Sequence, residues 1–163
     1  MPFFMEEAEK NTQENKEKIV ERFYLLAFLY GFVGLTVSAF SEEALFILTT
    51  EEFHNAKYLV PIFIIQILLG VPSYLSVNQI MFAGKLIYNI PVSIVSLSAN
   101  IILNIILIPE YGALGAVIST AISSIFAAIM LLYFGAKAFP LPYVISKLVK
   151  YFISLLFSSL ILS

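Results

Sequence analysis

Long runs of apolar residues, separated by short polar connections, dominate this chain. The runs lie near 23–40, 59–83, 86–108, 113–134 and 143–163, and they are almost free of charged side chains. A helix needs about 20 mainly apolar residues to cross the roughly 30 Å hydrocarbon core of a bilayer. The strict alternation of a membrane-spanning strand is absent. The pattern therefore predicts an all-α integral membrane bundle of about five transmembrane helices.

The first 22 residues are rich in charged side chains and differ from the apolar runs that follow. Glu14 and Lys18 illustrate the four-residue spacing of opposite charges that stabilises a solvated helix. Acidic residues outnumber basic ones in this part of the chain, which disfavours binding to lipid headgroups. We therefore predict two regions, a cytoplasmic charged helical segment at 1–22 and a transmembrane helical bundle at 23–163.

The composition agrees with a membrane protein rather than with a soluble domain. Hydrophobic residues make up 60% of the 163 positions and charged residues only 12%, whereas a soluble domain has about 25% charged residues. The mean hydropathy is +0.94. A formal net charge of -2 lacks the basic excess that nucleic-acid binding requires, so no nucleic-acid partner is expected. The absence of cysteine excludes disulfide and thiolate chemistry.

Basic residues are distributed unevenly between the two sides of the predicted bundle. If successive connections lie on alternate sides, only Lys57 of the nine lysines and arginines falls on the side opposite the others. Short connections rich in positive residues face the cytoplasm. We therefore expect a multi-pass protein of the cytoplasmic membrane whose amino terminus is cytoplasmic and whose connection at 109–112 is outside.

Polar side chains recur along one face of the third span. Five of them lie within an arc of about 80° when each residue advances 100° around the helix. Such a continuous face suggests that the helix lines a polar cavity. Interhelical hydrogen bonds, which contribute about 0.6 to 2 kcal/mol each, are the open alternative. The cavity candidates are Asn89, Ser93, Ser96, Asn100 and Asn104 on the third span, and Gln66, Asn78 and Gln79 on the second.

The acidic and basic side chains that serve in acid–base catalysis and metal binding are missing from the interior of the first four apolar runs. No Asp, Glu, His, Lys or Arg lies well inside the first four predicted spans. A buried general acid, a metal site or a proton relay therefore lacks the side chains it needs. The only histidine, His54, lies in a polar connection, where a solvated side chain is the simpler interpretation. We expect no catalytic residues, no metal and no cofactor.

The segment NIILNIILIPEYGALGAVISTAIS, which begins at Asn100, resembles a motif of polysaccharide and oligosaccharide flippases. These proteins belong to the MATE-like multidrug/oligosaccharidyl-lipid/polysaccharide exporter superfamily, and the motif is roughly N-x-x-L-N-x-x-L-I-P-x-x-G-x-x-G-A-x-x-x-T-x-x-S. Phe53, Ala56 and the FAGK stretch at 82–85 are similar to the same family. Residues expected to have a structural role in this motif are Pro109, Gly112, Gly115, Ala116 and Thr120.

The resemblance implies a fold of two helical lobes, of which this chain corresponds to part of the C-terminal lobe. It implies movement of a lipid-linked oligosaccharide across the cytoplasmic membrane by alternating access. The implied partners are membrane lipid, a lipid-linked sugar, and a missing N-terminal lobe or other membrane helices. Two alternatives stay open: a multidrug or peptidoglycan-precursor exporter of the same superfamily, and a non-transporting membrane fragment or assembly partner.

Overall fold

The computed structural model describes residues 2–51, 54 and 58–142, and within these ranges the chain is helical. A short 3₁₀ helix, Leu86–Tyr88, leads into the fifth α-helix. No strand occurs in this part of the chain, so the predicted all-α class is confirmed for it. The α-helices are α1 (Pro2–Lys10), α2 (Gln13–Ala39), α3 (Ser41–Leu48), α4 (Val60–Phe82), α5 (Asn89–Tyr111) and α6 (Ala113–Ala138).

Three helical segments of the described chain are long and apolar enough to cross a membrane. They are Gln13–Ala39, Leu86–Tyr111 and Ala113–Ala138. The predicted fifth span at 143–163 lies outside the described residues, as do Phe53, Ala56 and Lys57. The number of spans, about five, therefore stays a prediction.

Helix α2 joins the charged segment and the first apolar run into one continuous helix. Thr12 is its N-cap, and the Thr12 hydroxyl accepts a hydrogen bond from the Asn15 backbone N–H at 3.2 Å. This bond satisfies one of the unpaired donors at the helix start. Asn11 precedes it with φ of 48°, a left-handed conformation that ends α1. The predicted region boundary at residue 22 thus falls inside α2.

Helix α1 folds back against α2 and α4. Phe4 and Ala8, one helical turn apart, are buried in the same apolar cluster as Phe23 of α2 and Leu75 of α4. The rings of Phe4 and Phe82 meet edge to face, with centroids 6.2 Å apart. The charged segment is therefore two helices, and the first buries an apolar face that a solvated helix would expose to water.

Helices α5 and α6 form an antiparallel hairpin around Gly112. This residue has φ of 56° and ψ of −129°, a conformation that glycine adopts at little cost. Its N–H donates to the carbonyl of Ile108 at 2.8 Å. We expected the turn to occupy 109–112, but α5 continues through Pro109 to Tyr111. The fixed φ of proline suits a helix, and near the helix end it removes only one hydrogen bond.

Many large apolar side chains are exposed on the described helices, although the main buried cluster is also apolar. Ile105 on α5 is 70% exposed, and Ile47 on α3 is 78% exposed. Exposed apolar surface of this extent marks a membrane or protein interface. The apolar helices are therefore typical of a membrane-associated protein. The largest fully buried side chains are Ile80, Gln79, Ser76 and Ser119.

Candidate functional site: a neutral polar seam

The carboxy-terminal part of the predicted polar face of α5 meets α6. Asn100 Nδ2 donates to Ser123 Oγ at 3.2 Å and to Thr120 Oγ1 at 3.4 Å. Asn104 Nδ2 donates in turn to Asn100 Oδ1 at 3.0 Å. We call these four residues, Asn100, Asn104, Thr120 and Ser123, the polar seam.

Backbone carbonyls of α6 hold the two hydroxyls of the polar seam in place. Thr120 Oγ1 donates to the Ala116 carbonyl at 2.9 Å, and Ser123 Oγ donates to the Thr120 carbonyl at 3.0 Å. Because their protons are engaged, both hydroxyl oxygens present lone pairs to the Asn100 amide. The seam is therefore a chain of neutral hydrogen bonds that runs from Asn104 to the backbone of α6.

The other residues of the predicted polar face do not join the seam. Ser93 is exposed, and the half-buried Ser96 donates to the Ser93 carbonyl at 3.3 Å. Asn89, at the start of α5, is half-buried. At this end Tyr88 and Phe134 of α6 stack with ring centroids 4.9 Å apart. The five residues thus share one face of α5, but only Asn100 and Asn104 belong to the seam.

The polar candidates on α4 face different neighbours. Gln66 Nε2 donates to Ser124 Oγ on α6 at 3.3 Å. Gln79 is fully buried, and its Nε2 donates to the Phe139 carbonyl at 2.6 Å. Asn78 Nδ2 donates to a carbonyl of its own helix at 2.7 Å, and its side chain lines a separate groove beside α2. The structure therefore places Gln66 and Gln79 on the α6 side and Asn78 away from it.

Several amide oxygens of the candidate residues are buried without a hydrogen-bond partner. A buried acceptor without a donor costs about 1 to 3 kcal/mol, and a hydroxyl group is its natural complement. No Asp, Glu, His, Lys or Arg occurs in the stretches 60–82 and 89–108, so the amides and hydroxyls of these helices are uncharged hydrogen-bonding groups. The oxygens concerned are Oε1 of Gln66 and Oδ1 of Asn78, Asn89 and Asn104.

The predicted motif residues lie along the α5–α6 hairpin. Gly112 forms the turn, and the carbonyl of Ala116 holds the Thr120 hydroxyl. Gly115 lies so close to α5 that an added Cβ would overlap the backbone carbonyl of Leu107. Pro109, by contrast, is an exposed residue in the last turn of α5.

The sequence did not predict that Gln79 donates a hydrogen bond at the carboxy-terminal end of α6. The last carbonyls of a helix have no partner within it, and Phe139 is the C-cap residue of α6. The Gln79 amide supplies a donor to that carbonyl from a neighbouring helix. The sequence shows only that Gln79 is an amide within an apolar run, and it does not show which helix end the side chain contacts. Gln79 is therefore a structural residue in this arrangement.

Replacing Gln79 with leucine is expected to lower the free energy of unfolding by about 1 to 3 kcal/mol, because the Phe139 carbonyl loses its donor in a buried position. The matched control is Gln66→Leu on the same helix, whose partner is a hydroxyl 3.3 Å away. Gln66→Leu should lower the free energy of unfolding by less than Gln79→Leu does. Thermal unfolding of both variants in detergent micelles, followed by circular dichroism, measures the difference. An equal loss of stability in the two variants would show that the hydrogen bond to Phe139 contributes no more than the one to Ser124.

Among the residues that the structure describes, no group of three or more His, Cys, Asp or Glu side chains is placed to hold a metal ion. Comparison of the chain with protein-family models, with curated proteins and with solved structures finds no match.

Proposed function

We propose that this chain is part of a flippase that moves a lipid-linked oligosaccharide, a polysaccharide precursor, across the cytoplasmic membrane. The observation that supports the proposal best is the polar seam, which places neutral donors and acceptors among apolar helices. Sugar hydroxyls donate and accept hydrogen bonds without carrying charge. The apolar outer faces of the helices suit the lipid tail of such a molecule, because the tail stays in the bilayer.

The proposed topology is multi-pass, with the amino terminus in the cytoplasm. Helix α4 has 23 residues and no charged side chain, so it serves as a further crossing, and 143–163 provides another. Lys16, Lys18 and Arg22 precede the apolar part of α2, as the preference of positive residues for the cytoplasmic side requires. The turn at Gly112 then lies on the outer side.

Alternating access requires interhelical contacts that break and re-form at a small cost in free energy. Interhelical hydrogen bonds in membranes contribute about 0.6 to 2 kcal/mol each. The bonds from Asn100 to α6 are of this kind, and a sugar hydroxyl offers the amide an equivalent partner. The unpartnered oxygen of Asn104 adds an acceptor beside them. In the proposed cycle, the seam opens as sugar hydroxyls replace the α6 hydroxyls and closes again on release.

Membrane vesicles test this function with all natural partners of the chain present. Inverted vesicles are prepared from cells that express the chain and from cells in which its gene is deleted. A fluorescent lipid-linked oligosaccharide is added to the outer leaflet, and its protection from a membrane-impermeant quencher is followed with time. We expect protection to develop faster with the chain present, whereas a fluorescent phospholipid without sugar should show no difference. Equal rates for the oligosaccharide would contradict the proposal.

A non-transporting assembly partner is the second candidate. It is favoured by one observation, namely that the donor hydrogens of Asn100 are engaged by α6 of the same chain. In that case the seam only holds α5 and α6 together, and the exposed apolar faces pack against other membrane helices. Variants that separate helix packing from amide chemistry distinguish the two candidates.

A further inference from the structure

A groove of about 620 Å³ lies between α1, α2 and α4. Ligand sites in proteins have volumes of about 300 to 1,000 Å³ and are mostly apolar, with a few polar groups that orient the ligand. The walls of this groove fit that description, because Phe23, Leu26 and Leu75 supply apolar surface while Arg22 and Asn78 supply polar groups. The groove is separate from the polar seam.

Arg22 carries a positive charge that no acidic side chain of the described residues neutralises through an ion pair. Lys10 pairs with Glu7 at 2.9 Å, and Lys18 pairs with Glu14 at 2.7 Å. The Arg22 guanidinium instead lies over the Phe3 ring, 3.6 Å from its centroid. The amino-terminal segment has an excess of acidic residues, but Arg22 keeps a positive charge at the wall of the groove. Phe3 of α1 contacts it there.

Asn78 adds an acceptor to the same groove. Its Nδ2 donates to the Tyr74 carbonyl at 2.7 Å, and its Oδ1 is buried without a partner. The groove thus combines a charged donor with a neutral acceptor above an apolar wall. An anionic ligand with hydroxyl groups and a hydrocarbon tail complements all three features.

The position of Arg22 along α2 places this cation at the boundary between polar and apolar chain. Arg22 is the last charged residue before the apolar run that begins at Phe23. Arginine at the end of a membrane-spanning stretch places its head at the lipid headgroup level. Leu25 and Leu26, which follow in the groove wall, then lie at the depth of the acyl chains.

We propose that this groove binds one anionic glycerophospholipid as a resident ligand, independently of any transport. The lipid phosphate accepts hydrogen bonds from the Arg22 guanidinium, whose planar fork suits phosphate oxygens. A headgroup hydroxyl donates to Asn78 Oδ1, and an acyl chain lies against Leu26 and Leu75. Because one specific cation carries the recognition rather than a polybasic patch, the binding is stoichiometric.

Native mass spectrometry of the purified full chain in detergent micelles tests this site. The probes are phosphatidylglycerol and phosphatidylcholine, each added separately, and inorganic phosphate, which is added to the chain that already holds phosphatidylglycerol. We expect one phosphatidylglycerol to remain bound, phosphatidylcholine to bind less, and inorganic phosphate not to compete. The Arg22→Gln variant should weaken phosphatidylglycerol binding by about fivefold or more. The matched control Lys18→Gln removes a paired charge one turn away and should leave binding unchanged.

A second variant tests the groove itself without altering charge. Leu26→Trp fills the apolar wall beside Arg22, and it should exclude the lipid while circular dichroism shows unchanged helix content. Three results would each overturn the proposal: equal binding by Arg22→Gln and the wild-type chain, full binding by Leu26→Trp, or displacement of the lipid by inorganic phosphate. The last result would identify a site for the free anion rather than for a membrane lipid.

Discussion

Replacing both Asn100 and Asn104 with leucine is expected to reduce oligosaccharide translocation by at least about tenfold, while the chain still inserts into the membrane. Leucine branches at Cγ as asparagine does but offers no donor or acceptor. The variant therefore removes the amides that the proposed cycle presents to sugar hydroxyls. Vesicle protection of the fluorescent lipid-linked oligosaccharide measures translocation, and membrane fractionation measures insertion.

Loss of helix packing has to be separated from loss of the amides. The double variant Thr120→Val with Ser123→Ala removes the α6 acceptors of Asn100 but leaves both amides in place. It should lower the free energy of unfolding by about 0.6 to 2 kcal/mol for each lost bond and retain translocation. A further control, Ser98→Leu, changes an exposed position of the same helix. If the hydroxyl variant loses as much translocation as the amide variant, the seam is only a packing contact.

Alanine at Gly115 or Gly135 is expected to destabilise the bundle by about 1 to 3 kcal/mol, because a well-packed contact has no room for an added methyl group. A Cβ at Gly135 would lie 2.8 Å from the Ser76 Cα of α4. At Gly115 it would meet the backbone of α5 at Leu107. Backbone atoms cannot swing aside as a flexible side chain does, so the helices must separate. Thermal unfolding in detergent micelles measures the loss.

Gly70 supplies the matched control for these two glycines. It also lies within a helix, but an added Cβ there meets nothing within 4 Å. Helix propensity alone predicts that alanine improves all three positions by about 0.5 to 1 kcal/mol. The packing argument predicts improvement at Gly70 and loss at Gly115 and Gly135. Stabilisation of all three variants would show that these helix contacts are looser than the structure indicates.

The positions of α4, α5 and α6 were largely predictable from the sequence. Long apolar runs must form helices in a bilayer, because every backbone polar group needs an internal partner there. The predicted spans 59–83, 86–108 and 113–134 therefore overlap these helices closely. The ends were less predictable. The sequence predicted Pro109 as part of a turn, but between 109 and 112 only Gly112 leaves the helical conformation. A residue with positive φ ends a helix, whereas a proline in the last turn can remain helical.

The candidate site was predictable as a face but not as a set of contacts. Helical spacing correctly placed Asn100 and Asn104 on one side of α5, since that follows from the geometry of a single helix. It gave no information about which neighbour they meet. The bonds to Thr120 and Ser123 depend on how α6 returns after Gly112. The role of Gln79 at Phe139 depends on a contact between residues 60 positions apart.

The sequence by itself determined that the described part of this chain is helical and that its apolar helices are typical of a membrane-associated protein, because these properties depend on local composition and on the period of one helix. It also determined which residues share a face of α5. Only the tertiary structure decided that α1 folds back so that Phe3 contacts Arg22 at a groove. It also decided that only Asn100 and Asn104 of the polar face of α5 join the seam, and that Gly135 contacts α4. These features arise between helices, and interhelical contacts reflect packing of the whole bundle rather than any local pattern.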